Sequence, residues 1–160
     1  MPPSLRLTAR VLPVSPAGEV LLLQDQDPAQ PGVGRWGSIG GAVDPGETLV
    51  EAALRELHEE TGIRRTPEDL TAPFHRLTYE FTWDGTAYVA DATFYALPME
   101  RDVEISFAHL EASEVGNVLA AAWWTPAELE VDGTAVVPDL PDVMRAAVRA
   151  VLETSVRGVS

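Results

Sequence analysis

The chain has 160 residues, 46% of them hydrophobic, with 25 Asp and Glu against 11 Lys and Arg, a formal net charge of −14 and no cysteine. Such a length and apolar fraction suit a single globular domain spanning 1–160 and exclude a disordered chain. The acidity argues against a nucleic acid polymer as partner, because a phosphate backbone needs a basic patch, and the missing cysteines exclude disulfides, thiolate metal sites and cysteine nucleophiles.

No apolar run approaches the roughly 18 residues of a membrane span, and the opening MPPSLRLTAR lacks the apolar core of a secretory signal. The expectation is a soluble, cytoplasmic protein without a membrane partner. In chain order, Leu5 to Val14 alternates and Glu19 to Gln24 is a second apolar run, so two strands are predicted around a turn at Pro16-Ala17-Gly18. Asp25 to Arg35 is polar and rich in proline and glycine, which predicts a loop, and Trp36 to Val43 returns to extended structure. A helix should begin near Thr48. Thr48 and Glu51 form an S/T-x-x-E capping box, Leu49, Ala53 and Leu57 recur at i+4, and Gly62 supplies the stop.

Thr78 to Trp83 and Thr86 to Leu97 flank Asp84-Gly85, a two-residue hairpin signal. That turn sets Phe81 opposite Tyr88, Tyr79 opposite Ala90 and Leu77 opposite Ala92. Pro98 to Asn117 reads as an irregular loop with acidic residues at Glu111 and Glu114, Val118 to Trp124 as a last strand, and Thr125 to Glu128 as a second capping box with Pro126 opening a short helix. Pro141 to Leu152 closes the chain as an amphipathic helix. The element order gives an α+β fold or an α/β sandwich.

The chemistry concentrates between Gly41 and Ile63. On a helix, Glu56, Glu59 and Glu60 stand at i, i+3 and i+4 and share one side, in the last turns, where the helix dipole disfavours negative charge by roughly 0.3–1 kcal/mol each. A divalent cation relieves that repulsion, and a hard ion such as Mg²⁺ or Mn²⁺ takes carboxylate and carbonyl oxygens. An ordinary amphipathic helix with a solvated acidic face, braced by Glu51 to Arg55 and Arg55 to Glu59, explains the glutamates alone. It does not explain Gly41 and Glu47 at fixed distances upstream. Arg55 offers a fork that matches the Glu47 carboxylate bidentately, and Glu56 and Glu60 lie next to the apolar stripe, so they should face a partly buried cleft.

Gly41, five residues, Glu47, seven residues, then Arg55, Glu56, Leu57, His58, Glu59, Glu60, Thr61, Gly62 and Ile63 fill every specified position of G-x5-E-x7-R-E-U-x-E-E-x-G-U. The segment resembles the Nudix box of the MutT-like Nudix hydrolases. The resemblance implies the Nudix fold, a mixed β-sheet between helices in an α/β/α sandwich. It also implies hydrolysis of a phosphoanhydride bond in a nucleoside diphosphate linked to another group X, by water attacking phosphorus with Mg²⁺ or Mn²⁺. The implied metal ligands are Glu56, Glu59, Glu60 and the Gly41 carbonyl. Glu59, Glu56, Arg55 and Glu47 make up the catalytic set, with Arg55 orienting the glutamates. The general base is left open between Glu56 and Glu59 in the box and Glu111 and Glu114 outside it, the latter pair reading first as solvated loop charges.

Arg35, beside Trp36 where the family often carries G-x-W, and Tyr79 are the substrate-binding candidates. Tyr79 lies 16 residues past the box, a distance that resembles the tyrosine marker of dinucleoside polyphosphate hydrolases. The chain departs from the family in having Ile39 where a proline usually precedes the glycines. It also lacks the proline of ADP-ribose hydrolases and the SQPWPxPxS-type array of NADH pyrophosphatases. His58 is expected on the outward, solvated side of the helix, and His75 and His109 have no sequence partner that would make them ligands. The implied partner is a small nucleotide-like substrate; a homodimer is compatible with the sequence. A nucleotide-binding sensor module without turnover is the competing function, although such modules tend to lose box carboxylates and this chain keeps them all.

Overall fold

Alternation along the first strand decides where everything else packs. β1 (Ser4–Val14) sends successive side chains to opposite faces, so Leu12 and Val14 enter one apolar cluster while Ala9 and Val11 enter another. β2 (Val20–Asp25) repeats the division, with Val20 and Leu22 on one side and Leu21 and Leu23 on the other. β6 (Thr86–Pro98) does the same, Phe94 and Ala96 opposing Tyr95 and Leu97. A sheet apolar on both faces must be covered on both faces. α1 (Leu49–Thr61) covers one with Ala52, Ala53 and Leu57, and α2 (Pro126–Asp132) and α3 (Leu140–Arg157) cover the other with Leu129, Leu140, Val143 and Met144. Each fully buried leucine contributes about 1.5–3 kcal/mol by this burial. The result is the expected α/β/α sandwich; the computed structural model describes residues 2–157, with side chains to residue 153.

The sheet is mixed. Its main path runs through β3 (Arg35–Gly37), β2, β1, β6 and β5 (His75–Trp83), with β4 (Ile39–Ala42) paired to β1 and β7 (Val118–Trp124) paired to β2. β1 and β6 run parallel from Ser4 opposite Tyr88 to Val14 opposite Pro98; the other pairings between the named strands are antiparallel, and Trp36 adds a single parallel bridge to Ala135. The hairpin has the predicted register, with Phe81 opposite Tyr88, Tyr79 opposite Ala90 and Leu77 opposite Ala92. Asp84 and Gly85 both take positive φ, 50° and 79°, as a turn of type I′ requires.

Both capping boxes form. Thr48 accepts from the Glu51 backbone N–H while Glu51 accepts from that of Thr48, and Thr125 and Glu128 repeat the exchange at α2. Glu51 therefore turns back toward Thr48, as the capping box predicts, and is not among the partners of Arg55, so the Glu51 to Arg55 brace of the solvated-helix alternative does not form. Trp36 to Val43 also departs from one continuous strand. The chain changes partner at Ser38, β3 pairing with β2 and β4 with β1, which splits it into two short strands. A short 3₁₀ turn at Pro67–Asp69 was not legible in the sequence. None of the described helices is long and apolar enough to cross a membrane.

Thr48→Ala removes the oxygen that satisfies an orphan N–H at the start of α1. It should lower stability by about 1 kcal/mol in urea denaturation, with the slope unchanged.

Candidate active site

β4 and the first half of α1 are joined by the loop around Asp44 to Glu47, and one arginine fastens the three together. Arg55 donates from Nε to Glu47 Oε2 at 2.7 Å and from Nη2 to Glu47 Oε1 at 2.9 Å, the bidentate pairing expected. Nη2 also donates to the Ala42 carbonyl at 3.0 Å, and Nη1 to Glu56 Oε1 and Glu59 Oε2, both at 3.1 Å. Glu47 in turn accepts from the Asp44 backbone N–H at 3.0 Å. The Arg55 hydrogen bond holds the Glu47 carboxyl below its ordinary pKa, and Glu47 in turn lifts that of Arg55.

Glu56 and Glu60 are buried, as their place beside the apolar stripe predicts, while Glu59 is half-buried at the rim. Two glycines make room for them. Gly40 donates its backbone N–H to Glu60 Oε1 at 2.7 Å, with φ at +143° and space for no side chain, since a Cβ would fall 2.2 Å from the Ala9 carbonyl oxygen. At Gly41 a Cβ would fall 2.6 Å from Glu56 Oε1. The glutamate carboxylate and the backbone of β4 are thus in direct contact, which only a hydrogen at that position permits.

The loop 98–117 brings in Glu111 and Glu114; Glu111 stays exposed, as a solvated loop charge should be, while Glu114 is half-buried beside the box glutamates. Ligand atoms of Glu56, Glu60 and Glu114 lie within 4.8 Å of one another, and so do those of Glu56, Glu59 and Glu111. Glu111 also stands 3.7 Å from Arg55. The loop is held by backbone hydrogen bonds from Ser106 N to Thr61 O and from Gln26 N to Asn117 O, both 2.8 Å. His58 and His109 pack their rings at 4.5 Å beside it, so His58 is half-buried against the loop instead of solvated.

Crowding of carboxylates in a buried place favours their neutral forms. Burial, then Glu114 and Glu59, push Glu56 up to about 7 despite Arg55, and burial with Glu114 and Glu56 raises Glu60 well above the carboxylate range. Glu59 is raised by burial and by Glu111. Asp25, at the end of β2, is pushed up to about 6 by burial, with Arg10 opposing and Glu114 adding. Two clefts open here. The first is lined by Glu56, Glu60 and Glu114 and the second by Arg35, Tyr79 and Val137, and Arg10, Asp25, Phe81 and Trp83 border both. The structure thus places the two substrate-binding candidates, Arg35 and Tyr79, together, next to the glutamates.

The family model of the NUDIX domain matches residues 4–150. The chain belongs to the Nudix family. Among curated relatives, an uncharacterized Nudix hydrolase, orf19, of Rhodococcus erythropolis is 37% identical over 93 residues, covering 56% of this chain and 45% of the relative. An RNA pyrophosphohydrolase of Erythrobacter litoralis is 44% identical over 32% of this chain and 30% of its own length. The asymmetrical bis(5'-nucleosyl)-tetraphosphatase of Mus musculus is 45% identical over 36% of this chain and 37% of its own. The chain thus spans less than half the length of these curated relatives. Of solved structures, a MutT protein from Methanosarcina mazei Go1 superposes with TM-score 0.70 at 21% identity, over 93% of this chain and 96% of that one, and shares the Nudix fold. A C. elegans Ap4A hydrolase superposes with TM-score 0.58 at 26% identity, over 89% and 95%.

Reading the Nudix box alone missed Arg10 and Asp25. Arg10 had a signal: a charged residue in the phase of Leu12 and Val14 within an alternating strand. Asp25 had none, because it ends an apolar run where polar residues are ordinary.

Two outcomes follow from this geometry. Gly41→Ala should leave the fold intact but displace the Glu56 carboxylate, and millimolar Mg²⁺ should raise the melting temperature of the unsubstituted chain but not of this variant. Glu56 and Asp25 have folded-state pKa values of about 7 and about 6 against ordinary values of 4.5 and 3.8. The metal-free folded state therefore holds extra protons between about pH 4 and 7, and its stability should fall as pH rises through that window. Glu47, shifted the other way, acts only below its ordinary value of 4.5. Urea denaturation in EDTA at about pH 5 and about pH 8 checks this; equal stability at both would contradict the raised pKa of Glu56 and Asp25.

Proposed function

We propose that this protein is a metal-dependent Nudix pyrophosphohydrolase that cleaves a phosphoanhydride bond in a nucleoside diphosphate linked to a further group X. The observation that carries the reading is the pair of carboxylate triads sharing Glu56, one closed by Glu114 and the other by Glu111, built on a helix whose ligand face is cradled by Gly41. This donor set fits a hard divalent ion: oxygens only, beside a glycine where an added methyl group would collide with the Glu56 carboxylate. Glu56, Glu59, Glu60 and the Gly41 carbonyl would hold Mg²⁺ or Mn²⁺, with Glu111 and Glu114 completing the two groups. When bound, the ion neutralises charge on phosphoryl oxygens and lowers the pKa of water.

The chain's own residues do the rest. Arg55 keeps Glu56 and Glu59 in fixed orientation and does not meet substrate, because its donors are taken by Glu47, Ala42 and the two glutamates. Glu59, half-buried at the rim and beside Glu111, is the proton acceptor for the attacking water, its raised pKa bringing it closer to neutrality. Attack is in line at one phosphorus, and the leaving phosphate is displaced on the opposite side. Arg35 and Tyr79 hold the nucleotide-like portion in the neighbouring cleft. The names of the RNA pyrophosphohydrolase and tetraphosphatase relatives support cleavage within a phosphate chain attached to a nucleoside. Retention of every box carboxylate favours turnover over a binding-only module.

The test is release of phosphate and nucleotide from nucleoside triphosphates, dinucleoside polyphosphates, ADP-ribose, NADH and nucleotide sugars, with Mg²⁺ or Mn²⁺. One substrate class should be cleaved only with metal, and Glu60→Gln should lose about 100-fold or more of that activity while remaining folded. Full activity in Glu60→Gln would remove Glu60 from the ligand set.

A further inference from the structure

Arg10 is the charged side chain of the site with a buried donor that has no partner among the described residues. It lies mid-strand in β1, opposite Gly40 on one side and Phe94 on the other, in the phase that a few residues later carries fully buried Leu12 and Val14. A guanidinium has five N–H donors in a planar fork. Here Nη1 donates to the Ser38 carbonyl at 3.3 Å, a long bond, and the inaccessible Nε has no partner among the described residues. Arg10 takes no part in the ion pairs that Arg55 makes with Glu47, Glu56 and Glu59. Burial works against its charge, yet Tyr79, Glu60, Glu56 and Asp25 around it raise its pKa above the ordinary guanidinium value, so it stays a cation.

Its position is as informative as its bonding. Arg10 borders the glutamate cleft and also the cleft of Arg35 and Tyr79, and stands at the wall between them. A substrate whose phosphates meet the glutamates and whose planar group rests beside Tyr79 and Trp83 must cross that wall. The part that crosses is the phosphate next to the ring-bearing sugar, and an arginine at that wall, whose hydrogen bond among the described residues is the long one to Ser38, presents a planar fork that fits a phosphate.

We propose that Arg10 is a substrate-binding residue that grips the phosphate of a nucleoside diphosphate derivative where it passes from the glutamate cleft into the aromatic-walled cleft. This rests on the reading of the site as a phosphoanhydride hydrolase. The competing role is purely local, with Arg10 neutralising Glu56, Glu60 and Asp25 and touching no substrate. The two roles differ in what they do to metal and to phosphate. A neutralising arginine, once removed, leaves the carboxylates more negative and strengthens cation binding, without effect on a bound diphosphate. A phosphate-gripping arginine, once removed, weakens the diphosphate and leaves the cation nearly as before.

The full chain is titrated by calorimetry with Mn²⁺ alone, then with methylenediphosphonate and with α,β-methylene-ADP in saturating Mn²⁺. Both probes resist hydrolysis. Arg10→Met, close in shape and uncharged, should bind Mn²⁺ within about threefold of the unsubstituted chain and lose about tenfold or more for both probes. Arg10→Lys keeps the charge but not the fork, and carries the test if the methionine variant does not fold; a loss of about threefold or more is expected there. Unchanged affinity for both probes in whichever folded variant is measured overturns the Arg10 assignment and leaves the hydrolase reading standing. Failure of the unsubstituted chain to bind either probe with Mn²⁺, or undiminished binding in Glu60→Gln, overturns the reading of the site itself and the Arg10 proposal with it.

Discussion

One guanidinium sets the geometry on which the site depends. Three glutamates within five residues of helix repel one another, and the dipole at their end of α1 adds to the penalty. Arg55 stands among them and distributes its donors over a loop carboxylate, a strand carbonyl and two helix carboxylates. Hydrogen bonds to charged groups contribute about 1.5–3 kcal/mol each when they are shielded from water, so this one side chain offsets much of the repulsion. It also fixes the distance between β4 and α1, which is the distance between the backbone carbonyl of Gly41 and the glutamates.

What the sequence disclosed and what it hid divide along the range of the interactions. The capping boxes at Thr48 and Thr125, the Asp84-Gly85 turn with its register, and the Arg55 to Glu47 pairing involve residues close along the chain, and their spacing carries their geometry. The burial of Glu56 and Glu60 was legible for the same reason, from their phase on α1. Two local rules compete for Glu51, and the capping box wins. The cap exchange satisfies a backbone N–H that has no other partner, whereas an exposed pair with Arg55 contributes only a few tenths of a kcal/mol, about 0.2–0.5.

Arg10 and Asp25 were hidden, and Glu111 and Glu114 could be named only as alternatives, because their meeting depends on the sheet and on the loop 98–117. That loop has no periodicity to read, and the contacts that seat it, Ser106 on Thr61, Asn117 on Gln26 and His109 on His58, join segments far apart in sequence. The site therefore has two kinds of carboxylate. Glu56 and Glu60 stand on a helix packed against the core, while Glu111 and Glu114 come from a loop fastened at a few points. The loop 25–35 shares in this fastening, since Gln26 also accepts from Gly32 N and donates to the Gly116 carbonyl.

The parallel pairing of β1 with β6 has a consequence for how the chain is made. β1 is made well before the strand it pairs with along its whole length, which comes after the box helix and the first arm of the hairpin. Until Thr86 to Pro98 has emerged, Leu12, Val11 and their neighbours on β1 have an open edge, and Arg10 has no fixed place beside the glutamates. Contacts so distant in sequence form slowly and leave apolar strand edges exposed meanwhile. The nascent chain thus carries a finished Nudix box long before it has a site, and one edge of β1 stays unpaired until the second half of the sheet closes over it.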